Sequence, residues 1–259
     1  MKRMRKYAAV LMGAFFLAFC CQMNAEAAES VAPFTADQLM AVVNAQCLNV
    51  TSVRQTITEN VQAVDAASQT SVTLNLAAQL EENRTVTHSV IGMSMSVGMG
   101  SAAMTAGATS VESYTALENG VVTTWQKDPA TGTWSTAQAP ATYEQMTAAN
   151  GTLMLSGISA AGAPVTTDGQ VYRFTGTVDA SLMSDMADVL ESSGISADGS
   201  FPVVVEIDAA TFYPRSIVIG MPNLTMPEMP GMTATATVAV VYDGFNQFDA
   251  IALPGANAA

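Results

Sequence analysis

The sequence predicts an α+β fold in which about nine to eleven antiparallel strands are accompanied by about three helices. Runs such as VTSVRQTITENV and RTVTHSVIGMSMSVGM alternate Val, Ile and Met with Thr, Ser and Gln, the period of a strand with one apolar and one polar face. Hairpin signals punctuate these runs, above all Asn119-Gly120 and Asp128-Pro129-Ala130-Thr131-Gly132, where Asn and Gly tolerate the positive φ of a tight turn. Residues 36–47, 141–150 and 179–194 depart from the strand texture and are read as the helices.

The chain opens on Lys2, Arg3, Arg5 and Lys6, continues with an apolar run from Tyr7 to Cys21 and reaches Ala25-Glu26-Ala27. That order predicts a secretory signal peptide over residues 1–27, a mature chain starting at Ala28, and one domain over 28–259. Leu17-Ala18-Phe19-Cys20 also resembles a lipobox, so lipidation at Cys20 is the alternative, with bulky Phe19 where a small residue is usual. The protein is expected to be exported, periplasmic or extracellular, and membrane-anchored only if Cys20 is lipidated. Cleavage would leave Cys47 as the one cysteine, and no disulfide within the chain.

Thr35 before ADQLMAVVNAQC, with Gln38 three residues on, predicts a capped helix from about Ala36 to Cys47. Strands follow from Asn49 to Asp128 and beyond, joined by the turns already named. In DASLMSDMADVLESSG the apolar Leu182, Met183, Met186, Val189 and Leu190 recur at helical spacing. Asp185, Asp188 and Glu191 make its solvated face, and Gly194 stops it. The last third, PVVVEIDAATFYPRSIVIGM and TATATVAVVYDGFNQFDAIALP, supplies four more strands around turns at Asp208-Ala209, Asp243-Gly244-Phe245-Asn246 and a methionine-rich loop.

Loss of residues 1–27 removes four of nine Lys and Arg and one of twenty-two Asp and Glu, leaving five cations against twenty-one anions, a formal −16. Such a surface repels nucleic acid. The sole histidine, His88, neighbours Ser89 on a strand, where consecutive side chains point to opposite faces, so the two make no catalytic dyad. With no Gly-rich phosphate loop and no Cys or His cluster at metal spacing, the sequence predicts neither an enzyme nor a cofactor.

Methionine is the unusual feature: thirteen of seventeen lie beyond residue 27. Met93, Met95 and Met99 differ by even numbers and share one strand face, while Met221, Met226, Met229 and Met232 lie in MPNLTMPEMPGM. Polarizable, flexible thioethers suit either an adaptable ligand surface or ordinary packing. The M-x-x-M-x-x-M spacing of Met226, Met229 and Met232 also fits a soft Cu(I) site, the minor alternative. Pro222, Pro227 and Pro230 favour a hairpin loop at the end of the sheet.

YTALENGVVTTWQKDPATGTWSTAQ, VVVEIDAATFYPRSIVIGM and VAVVYDGFNQFDAIALP resemble exported bacterial proteins of the LolA/LprG-like superfamily, over roughly residues 85–254. The resemblance implies a curved antiparallel half-barrel wrapping the helices around an apolar cavity that carries lipid acyl chains. On that architecture the cavity lining is expected from Met93, Met95 and Met99, from Trp125 and Trp134, from Met183 and Met186, and from Met221, Met226, Met229 and Met232. The function expected is a noncatalytic extracytoplasmic carrier or sensor of a hydrophobic small molecule or lipid. The alternative is a structural or interaction module of the cell envelope with no ligand. A monomer is expected, with an envelope protein as the partner in delivery.

Overall fold

The computed structural model describes residues 30–65, 67–99, 102–140, 155, 157–179, 199–225 and 231–254. They form one thirteen-stranded antiparallel sheet and a single described helix. In chain order the elements are β1 (Ser30–Thr35), α1 (Ala36–Cys47), β2 (Ser52–Asp65), β3 (Thr70–Asn83), β4 (Val86–Met99), β5 (Ala102–Glu118), β6 (Val121–Lys127) and β7 (Trp134–Pro140). They continue with β8 (Ile158–Ser159), β9 (Pro164–Thr167), β10 (Val171–Asp179), β11 (Ser200–Asp208), β12 (Pro214–Thr225) and β13 (Thr233–Asp243).

The spatial order is β1-β9-β10-β11-β12-β13-β2-β3-β4-β5-β6-β7, with β8 pairing β10 off that path. Two meanders, β9–β13 and β2–β7, are therefore fused edge to edge, and the seam is the β13·β2 ladder from Thr233↔Val64 to Asp243↔Arg54. Tight turns explain the meanders. Asn119 (φ 52°) and Gly120 (φ 76°) take the positive φ that a two-residue β5–β6 hairpin requires. Asp128 and Asp208 build matching turns: each side chain accepts the N–H groups two and three residues ahead, and each backbone pairs with residue 133 or 213.

α1 forms because its start is satisfied locally and one stripe is apolar. The Thr35 N–H donates to Gln38 Oε1 at 3.0 Å, and Ala36, Leu39, Met40 and Val43 are the buried stripe. This stripe covers the face made by Val203, Val205 and Ile207 of β11, Ile217 and Ile219 of β12, and Val238 and Val240 of β13. Asp37 and Ala36 tie the helix start to the β8–β9 loop through Gly162 and Ala163. At the far end Phe245 stacks on Tyr213, and Asn246 Oδ1 accepts the Thr51 N–H, so the YDGFN segment closes the β2 side of the core.

The expected α+β half-barrel wrapped around three helices is corrected in three respects. The fold is mostly antiparallel sheet, thirteen strands against one helix among the described residues. The sheet is open, its ends β1 and β7 not pairing with each other. The helix expected from 179 does not begin there, because Asp179 pairs with Ser200 as the last residue of β10; the rest of that segment, and 141–150, lie outside the described residues. The strand count exceeds nine to eleven because β1, β8 and β9, of six, two and four residues, are too short for alternation to reveal.

Candidate functional site

Directly paired residues of antiparallel strands share a face, so the register shows where the helix-covered face leads. Val238 of β13 pairs with Glu59, Glu59 with Leu76, Leu76 with Met93, and Met93 with Thr109. The next row reads Ala236, Val61, Leu74, Met95, Ala106; the next Ala234, Ala63, Val72, Val97, Met104. A bulge places Gly107 and Ala108 opposite Ser94, which preserves the facing on both sides of it. One apolar face thus runs from the core across β3, β4 and β5.

The helix does not reach that far. Twelve strands in a row are roughly 53 Å wide, whereas twelve helical residues are about 18 Å long. Among the described residues the core cluster draws nothing from β4–β7, and Val72 and Leu74 of β3 are only partly buried against it. Met93, Met95 and Met104 are 46 %, 42 % and 67 % exposed, and Ile91 and Met99 are exposed beside them. Singly exposed apolar residues are ordinary, but a contiguous group on one face marks an interaction surface.

Two polar side chains interrupt this face on β2, at the border between its covered and open halves. Gln55 is 2 % exposed and Glu59 7 %. Neither amide atom of Gln55 has a hydrogen-bond partner, nor does Glu59 Oε1. Burial raises the Glu59 carboxyl above its ordinary range. The sequence carries the signal, since VRQTITENV puts Gln55 and Glu59 at the same parity as Val53, Ile57 and Val61, but a plain apolar–polar alternation over this run hides them.

The opposite face of the same strands is polar and aromatic. Arg54 Nε donates to Glu81 Oε1 at 2.7 Å, His88 lies between Glu81 Oε2 (3.7 Å) and Glu112 Oε1 (3.3 Å), and Lys127 Nζ donates to Glu112 Oε2 at 2.9 Å. The hydrogen bond from Arg54 is foremost in lowering the Glu81 carboxyl, and that from Lys127 in lowering Glu112. His88 stacks on Tyr114 at 4.2 Å, Trp134 meets Tyr114 edge-on, and Lys127 sits over the Trp134 ring. Ser89 faces away from His88 and shares a hydrogen bond with Ser113 at 2.7 Å. Among the described residues no group of three or more His, Cys, Asp or Glu could hold a metal ion.

No protein-family model and no curated protein matches the chain.

The residues expected to line one cavity therefore divide. Met93, Met95 and Met99 of β4 lie together on the open apolar face, and Met104, which clusters with them in the sequence, joins them from β5. Trp125 pairs with Tyr114, and Trp134 contacts it, which puts both tryptophans on the opposite face. Met221 is fully buried beneath the helix-covered half, and Met232 is partly buried against the same core. Met183, Met186, Met226 and Met229 lie outside the described residues. The methionine-rich stretch does join two paired strands, β12 ending at Thr225 and β13 starting at Thr233.

Proposed function

We propose that the protein is a noncatalytic binding or carrier protein for a hydrophobic ligand, which it seats on the open face of β3, β4 and β5. The observation that carries this reading is the continuation of the core face into an exposed patch made of Ile91, Met93, Met95, Met99 and Met104. Unbranched thioethers refill around varied shapes at little cost, and covering them removes apolar surface from water. The signal-like N-terminus favours an extracytoplasmic setting, and the resemblance to LolA/LprG-like proteins favours an acyl ligand.

Titration with a neutral fluorescent acyl probe tests the proposal. Met93→Ser with Met95→Ser should weaken uptake by about thirtyfold, on the order of 1 kcal/mol for each of the two thioethers that cover the probe, with the melting temperature little changed because both side chains are already exposed. Absence of probe uptake by the unaltered protein, together with no co-purifying lipid in native mass spectra, would sink the reading and favour a structural module of the envelope.

A further inference from the structure

The open face carries an ionisable group that its neighbours leave unanswered. Glu59 has Val238 and Leu76 across from it and Ile57 and Val61 along its strand, all apolar. Its Oε1 has no hydrogen-bond partner, and on the same face of β2 the Gln55 amide has none at either end. Arg54 Nε donates to Glu81, Lys127 Nζ to Glu112 and Arg173 Nε to Glu206. An unpaired buried carboxylate is costly to keep, whereas leucine would cost nothing there. Two strands away Met93 is exposed, so the polar group sits where the covered core becomes open surface.

We propose that Glu59 is the head-group anchor of this face and that the ligand is a single-chain amphiphile bearing a primary ammonium group. The proposal rests on the reading of the face as a hydrophobic ligand site. An ammonium brings positive charge and three N–H donors to a carboxylate that lacks a partner, and the unpartnered Gln55 amide offers a second polar contact along β2. From β2 to β5 is three strand spacings, about 14 Å, a span that a decyl chain lying across Leu76 and Met93 largely covers. A carboxylate head would meet Glu59 with like charge and is excluded by it.

Competition against the neutral acyl probe separates the claims, using decylamine, decanol, decanoate and decyltrimethylammonium with the mature protein. Decylamine should displace the probe at least tenfold better than decanol, and decanoate should be the weakest. Decyltrimethylammonium, which keeps the charge but has no N–H, should compete clearly less well than decylamine. Glu59→Gln should erase the preference for decylamine while leaving decanol unchanged. Equal displacement by decylamine and decanol would overturn the head-group assignment while leaving the apolar face standing. Equal displacement by the two cations would overturn it too, showing only general attraction to an acidic protein. If no compound displaces the probe, both the anchor and the face are wrong. The comparison on the unaltered protein decides the matter by itself if Glu59→Gln does not fold.

Discussion

Replacing Glu59 by leucine should stabilise the protein, and more so as pH rises. Glu59 is 7 % exposed between Val238 and Leu76, with its Oε1 buried and unpartnered. A buried group left without its hydrogen bond costs about 1–3 kcal/mol, and more when charged. Leucine adds apolar contact at similar volume, so the gain near neutral pH should be roughly 2–4 kcal/mol. The sign with pH follows from the raised carboxyl: its reference value is 4.5 and burial lifts it in the folded state. Above the reference value the folded protein holds the proton more tightly than the unfolded chain, so stability from this group is present at acid pH. It is lost as pH rises through the folded value. Urea denaturation of the wild type and Glu59→Leu, followed by circular dichroism from about pH 4 to about pH 8, should show the gap widening with pH. Glu59→Gln, polar but not ionisable, should differ from Glu59→Leu by the same amount throughout. A gap that stays constant, or a leucine variant less stable than the wild type at every pH, would refute the reasoning. A stabilising change at this position would also mean that Glu59 is retained against stability, as functional polar groups often are.

Two further substitutions test the division of the sheet into covered and open halves. Leu39→Ala, at a buried helix position, should cost about 2–5 kcal/mol by leaving a cavity, whereas Met93→Ala should shift urea stability by no more than about 0.5 kcal/mol; comparable losses at both sites would mean that the methionine face is packed. Gly176→Ala would place a Cβ 2.7 Å from the Ser159 carbonyl oxygen, so it should cost about 1–3 kcal/mol by overpacking. Hydrogen exchange should show β8 loosened from β10 with the β10·β11 ladder retained, and unchanged protection at Ile158 and Ser159 would count against that contact.

Local features are the ones legible in the amino-acid sequence. The Thr35 to Gln38 capping pair and the stripe of Leu39, Met40 and Val43 specify α1, because backbone donors and an apolar face are satisfied within a dozen residues. Asn119-Gly120 and the two Asp turns fix their hairpins through positive φ and side-chain caps within four positions. Alternation placed Met93, Met95 and Met99 on one face of β4, since side-chain direction in a strand follows parity alone. Tertiary structure decided which strands meet. β1 pairs with β9, Ser30 opposite Thr167, and β13 pairs with β2, Tyr242 opposite Gln55. Such choices depend on contacts across more than a hundred residues that no local period encodes. The same long-range pairing made the sheet open and wider than its one described helix, sent Trp125 and Trp134 to the face opposite the methionines, and buried Met221 in the core. It also brought Val238 of the distant β13 against Glu59 on the side opposite Leu76, burying the residue, and so turned one polar letter in an alternating run into a buried, unpaired acid.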